Sequence, residues 1–352
     1  LLQSNSELTT LHMEALEVVG GALRLTTSPK VLSLDLGSLQ TVGATASTMD
    51  QGSLKLQGLT ALNTLNVSSL EVIRGSLHLG ALPFIEELSF DSLTKVAEVH
   101  LSDHSSLVSL NFPVLSVVDP CWAAGQGCDV GDATSPGWFT LSNLSSLVMV
   151  KAPLLSVVKG VLQVDQNTAL KTLDLDGVEQ LAAMYVEDNP VLDEVSLGSL
   201  EVVGGDTPSD DEVLVVADNV KLAKLDLAAL SNVQGALAIR GNALAAGVDL
   251  AQLESAYRVD FSDNQSLHLD LSSLTPTPTP PMLVIESNDG LEHIFFHSSM
   301  GQTCWSDAFP NPAGVWGKIQ NNPLLPQCAA ELGVGCGVPG PCAGTPSAPC
   351  PF

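Results

Sequence analysis

Three aspartates, Asp226, Asp249 and Asp270, recur at separations of 23 and 21 residues. On successive coils of a stacked fold their carboxylates would stand about 5 Å apart, where like charges repel and a calcium ion could offset the repulsion. Asp188, Asp218 and Asp263 form a second acidic row, and the segment Asp206 to Glu212 adds four carboxylates (DTPSDDE). Calcium needs roughly six to eight oxygens in a fixed arrangement, and no G-G-x-G-x-D loop occurs. The rows therefore read first as a solvated acidic face, with Asp226, Asp249 and Asp270 as tentative Ca²⁺ ligands. No other cofactor is expected.

Seven cysteines, at 121, 128, 304, 328, 336, 342 and 350, fall outside the regular apolar pattern. Such confinement to irregular stretches reads as disulfide stapling in an oxidising compartment, and the absence of paired C-x-x-C units argues against zinc. The expected bridges are Cys121 with Cys128, Cys304 with Cys328, and Cys336 with Cys342, which leaves Cys350 unpaired. All four tryptophans, Trp122, Trp138, Trp305 and Trp316, lie in the two cysteine-bearing insertions. They either close over core exposed by the insertions or serve as partner-binding residues, since Trp is enriched at interface hot spots.

Histidines occur at 12, 78, 100, 104, 268, 293 and 297. Only His100 with His104, and His293 with His297, have i, i+4 spacing, which in a strand and turn context does not bring two side chains to one helical face. No G-x-S-x-G, P-loop or H-E-x-x-H is present, so no catalytic residues are assigned and the chain is not expected to be an enzyme. Asn66, Asn143 and Asn264 begin N-x-S sequons, so a glycan is possible if the source is eukaryotic. The net charge of −26, with 13 Lys and Arg against 39 Asp and Glu, leaves no basic stripe for nucleic acid. No run of 18 apolar residues provides a transmembrane segment.

The elements that must position these residues are repeats. The pattern L-x-x-L-x-L-x-x-L-x-x-V-x-G-x-L-x-L-x-x-N appears at Leu59 to Leu79, Leu170 to Val186 and Leu222 to Ile239. The last apolar residue of each second strand gives thirteen anchors: Leu2, Leu25, Leu56, Leu79, Leu101, Leu141, Val164, Val186, Val216, Ile239, Phe261, Ile285 and Ile319. A basal coil of 22 or 23 residues emerges, lengthened by insertions just after the V-x-G corner. From Leu25 the steps group as 31, 23, 22, then 40, 23, 22, then 30, 23, 22, which looks like a three-coil unit used three times.

Each coil alternates period-two apolar strands with tight corners and shows no helical stripe. An all-β fold follows, a parallel β-solenoid of about twelve coils, on the order of 60 Å long at about 4.8 Å per strand. Residues 1–325 form this single domain, with insertions near 44–51, 119–136, 205–212, 275–281 and 298–314. Residues 326–352 form a Cys/Pro/Gly-rich cap or linker. Leu1 enters in mid-strand and Cys350 is the odd cysteine, so the natural chain is expected to continue past both ends. Three residues after the anchors stand Asn5, Asn167, Asn189, Asn219, Asn242, Asn264, Asn288 and Asn322, an expected structural ladder of turn asparagines. The outer column of the first strand reads His12, Asp35, Asn66, Ser89, Asn111, Lys151, Asp174, Ser196, Asp226, Asp249 and, shifted by one, Asp270.

The run L-x-x-L-x-x-V-x-G-x-L-x-L, as in Leu16 to Leu25 (LEVVGGALRL) and Leu70 to Leu79 (LEVIRGSLHL), resembles the receptor L-domain family of leucine-rich β-helical modules. Asn321 to Cys328 (NNPLLPQC) looks like the end of bacterial secreted or surface members. The resemblance implies a right-handed, leucine-rich-repeat-like solenoid that is extracellular or at the cell surface and binds or scaffolds without chemistry of its own. The chain is about twice the length of a receptor L-domain, and none of the family's ligand contacts maps onto these residues. The expected function is thus a binding or adhesion scaffold with a protein partner. The first alternative is a structural protomer that self-associates into a filament or layer, with Ca²⁺ possible; a lesser one is a polysaccharide-acting β-helix enzyme.

Overall fold

Leucines that alternate with polar residues can bury only one face of a strand, and stacking coil on coil gives that face a continuous interior. In the computed structural model, which describes residues 1–46, 48–121, 137–205, 211–245, 247–275, 282–296 and 317–322, the chain folds in that way. It is a parallel β-solenoid, and the described residues contain no α-helix, only a 3₁₀ turn at Asp50–Gly52. The thirteen anchors pair in register, each with the next, from Leu2 with Leu25 through to Ile285 with Ile319.

One 17-stranded parallel sheet carries the anchors and the V-x-G corners. The short first strands form three smaller sheets, of three, six and three strands. Between them runs one aliphatic core, including Leu56, Leu79, Leu101, Leu141, Val164 and Val186. Burying a side chain of this size stabilises the fold by about 1.5–3 kcal/mol, so each coil adds its own increment. Asp174 lies half-buried between the fully buried Leu173 and Leu175, as period two requires.

Three insertions interrupt the long sheet among the described residues. After the corner strands Thr41–Val42, Val117–Val118 and Val202–Val203 the chain departs, and it rejoins the sheet at Leu54–Gln57, Phe139–Ser142 and Glu212–Ala217. In the coil that follows each, corner and anchor strands merge into one long strand, Val72–Gly80, Val157–Asp165 or Asn232–Arg240. The motif glycine of that strand lies against the returning insertion. A Cβ on Gly75 would overlap the Met49 carbonyl oxygen, one on Gly160 the Gly137 carbonyl oxygen, and one on Gly235 would approach the Asp211 carbonyl oxygen to 2.7 Å. The glycine of V-x-G is thus a seat for the neighbouring coil's insertion.

Two residues after each anchor the backbone is left-handed, at Ser4, Thr27, Gly58, Ala81, Asp103, Asn143, Gln166, Asp188, Asp218, Gly241, Asp263, Ser287 and Asn321. Asp and Asn tolerate this conformation better than other side-chain-bearing residues. That explains the acidic row of Asp188, Asp218 and Asp263, which is a row of corners.

One residue further stands the asparagine ladder. The Oδ1 atoms of Asn189, Asn219, Asn242, Asn264, Asn288 and Asn322 each accept the backbone N–H of the preceding ladder asparagine at 2.9–3.2 Å. From Asn167 onward each Nδ2 donates to the carbonyl of the preceding coil's anchor, at 2.8–3.0 Å. Asn5 stands apart, donating to the Gln3 carbonyl. Between them the same position holds Ser28, Leu59, Leu82, His104 and Leu144, all buried.

Candidate functional site

The outward face of the long sheet carries a column of basic groups, one per coil. Strand register aligns Arg24 with Lys55, Lys55 with His78, and His78 with His100. Each precedes its anchor by one residue, so the sequence separations of 31, 23 and 22 are the coil steps themselves. All four are half-buried. The two imidazoles tilt against each other with centroids 6.1 Å apart. Burial, then the Lys55 ammonium and then His100, push the His78 imidazole down to about 4, so His78 is neutral at pH 7.

Around this column the polar groups are tied down. Glu98 accepts a hydrogen bond from the Ser76 hydroxyl at 2.7 Å and lies 3.3 Å from His100 Nε2. The carboxylate stands between serine and imidazole, and no bond joins Ser76 to His100. Nucleophilic catalysis requires the base to touch the hydroxyl, so this trio orients side chains and does not form a triad. Arg24 pairs with Asp50, a mostly exposed residue of the first insertion's 3₁₀ turn. Trp138, half-buried, immediately precedes the strand Phe139–Ser142, one coil on, and its carbonyl accepts the Val99 N–H at 2.7 Å.

Elsewhere on the same face several cations are neutralised within the fold. Arg240 pairs with Glu212 and lies 3.3 Å from Asp260, while Arg258 donates to Asp260 at 2.7 Å and Ser262 donates to the same carboxylate at 2.9 Å. Lys159 pairs with Asp119 at 3.1 Å. Lys55 has no carboxylate within bridging distance among the described residues. Further along the sheet edge, burial raises the Glu187 carboxyl, with repulsion from Asp188, Asp165 and Asp218 adding to it.

The tentative calcium ligands are not gathered into one site. Asp249 and Asp270 are register partners in one short sheet, whereas Asp226 ends the six-stranded sheet. Each carboxylate instead accepts an N–H two residues ahead: Ala228 at 3.3 Å, Ala251 at 2.9 Å and Ser272 at 2.9 Å. Among the described residues no group of three or more His, Cys, Asp or Glu side chains is arranged to hold a metal ion.

Of the other expected sites, Trp122, Trp305 and Trp316, the cysteines 128, 304, 328, 336, 342 and 350, His297, and most of the Asp206 to Glu212 loop lie outside the described residues, as do the 298–314 insertion and the 326–352 cap. Cys121 is disulfide-bonded. The sequon at Asn264 is buried in the ladder, where a glycan has no room. Among the described residues no helix is long and apolar enough to cross a membrane.

The basic column is the feature that motif reading missed. Helical i, i+4 spacing was the wrong ruler; the coil step was the right one, and Arg24, Lys55, His78 and His100 fit it.

No protein-family model and no curated protein matches the chain.

Proposed function

We propose that the chain is a non-catalytic, extracellular or cell-surface scaffold similar to receptor L-domains, and that its recognition face is the outward side of the long sheet over the coils of Leu25 to Leu141. The observation that carries this reading is the in-register column Arg24, Lys55, His78 and His100 on a chain of net charge −26.

A fold stabilised by its leucines gains nothing from aligning basic groups, and Lys55, with no carboxylate within bridging distance among the described residues, carries the charge that an anion would satisfy. Trp138 at its far end offers an indole for packing, in keeping with a partner-binding role for tryptophan. The binding and adhesion function and the extracellular location rest on this face and on the L-domain resemblance.

The probe is dextran sulfate, which keeps its charge across the useful pH range. Isothermal titration in about 20 mM salt should show saturable binding that Lys55→Glu weakens by about tenfold and that added salt abolishes. If the wild-type chain and Lys55→Glu bind equally, the face assignment is wrong.

A further inference from the structure

The column has a period as well as a charge. Its basic groups repeat once per coil, about 4.8 Å apart along the rod. An extended peptide places side chains of one face about 6.6–6.8 Å apart, so its carboxylates fall out of step with the column after the second cation. Another stacked parallel ladder keeps step over any length.

This chain carries carboxylates on such ladders, with one directly stacked pair, Asp249 and Asp270. On the first strand, Asp174, Ser196 and Asp226 pair in register within the six-stranded sheet, and Asp249 pairs with Asp270 in the next. These side chains are exposed or half-buried. Their Asx bonds use one oxygen each, leaving the second oxygen and the charge for a partner.

We propose that the partner of the basic column is a second copy of this chain, which lays its aspartate column, centred on Asp249 and Asp270, alongside Arg24, Lys55, His78 and His100 with the coil periods in step. The inference rests on the reading that the column recognises anions, and it names the anion. Two different surfaces meet, so the contact is heterologous and each new copy leaves both surfaces open at the ends of the assembly.

Protons are part of the contact. The groups facing His78 and His100 are Lys55 on one neighbouring strand, Arg24 beyond it with its partner Asp50, Glu98 on the His100 strand, and the neutral Thr140 on the next. Near the aspartates stand Lys224, paired with Glu194, and His268, two residues before Asp270. With one lysine lacking a partner and one arginine already paired, the column is weakly positive at neutral pH. An opposing carboxylate favours the imidazolium, so association takes up protons and strengthens in mild acid.

The test is sedimentation velocity of the full chain across a concentration series, at about pH 5.5 and about pH 7.5, in about 20 mM and about 0.5 M salt. The expected result is reversible association that is tighter at the lower pH and lost at high salt. Two charge reversals, Lys55→Glu with His100→Glu, and Asp249→Lys with Asp270→Lys, should each be monomeric alone and should co-assemble in equal proportions when mixed, because each variant offers the surface that complements the other. Milder Lys55→Gln and Asp249→Asn variants should weaken association without reversing charge. A wild-type chain that stays monomeric in every condition overturns the proposal, as does association indifferent to both reversals. If dextran sulfate binds while the chain remains monomeric, the second-copy partner fails and the anion-recognising face stands. If neither occurs, both fall.

Discussion

His104 Nε2 lies 3.2 Å from the carbonyl oxygen of Leu79, the anchor of the preceding coil, in the position where later coils place an asparagine Nδ2. Its Nδ1 lies 3.4 Å from the Leu82 carbonyl. The ring is fully buried, and one coil has thus solved with an imidazole what seven others solve with a carboxamide.

A pH dependence follows. Burial lowers the His104 imidazole below its ordinary value against two carbonyls that raise it, so the fold favours the neutral ring. Its contribution to stability is complete above the unfolded value of about 6.5 and is lost as pH falls through the lower folded value. Substituting His104→Asn should keep the bond to Leu79 and flatten the acid limb of a urea-midpoint profile between about pH 7 and pH 5. An unchanged acid limb would place the sensitivity elsewhere, with His78 the next candidate.

The ladder should be costly to interrupt. Asn219 donates to the Val186 carbonyl at 2.9 Å and accepts the Asn189 N–H at 3.1 Å, fully buried. Asn219→Leu strands both groups at about 1–3 kcal/mol each, so the loss should reach about 3 kcal/mol and hydrogen exchange at the Asn189 amide should rise. Asn5→Leu, outside the stacked run, should change little.

Gly160→Ala and Gly21→Ala should behave oppositely. The first drives a Cβ into the Gly137 carbonyl, whereas the second meets only the Gln51 carbonyl at 3.6 Å. Overpacking of this kind costs about 1–3 kcal/mol, so Gly160→Ala should lower the melting temperature by several degrees while Gly21→Ala leaves it nearly unchanged.

Much of this was legible in the residues. Anchor spacing gave all twelve coil steps, because a period-two aliphatic strand has one face to bury and the coil length fixes which strand it meets. Three features were not. The glycine of V-x-G reads as a corner, and its true reason, the returning backbone at Met49, Gly137 or Asp211, belongs to another coil. Asp188, Asp218 and Asp263 read as a charge row, although backbone conformation selects them. The basic column was hidden because its members stand one coil apart, so it became visible only with the register in hand.

Calcium should leave the rod as it is. Asp249 accepts its own turn's N–H from Ala251, so Asp249→Ala should destabilise by about 0.5–1.5 kcal/mol through the lost bond. Thermal melts in millimolar Ca²⁺ or EDTA should coincide for the wild-type chain. A calcium-dependent rise that Asp249→Ala removes would restore the metal reading.

The central claim, that the column on the long sheet recognises anions, is tested most directly by following the His78 imidazole by NMR with and without dextran sulfate. Alone, burial and Lys55 should hold its midpoint at about 4. With the polyanion along the column the midpoint should rise by about one unit or more, and Lys55→Glu should remove most of that ligand-induced rise. A His78 midpoint that does not move when dextran sulfate is added would contradict the account.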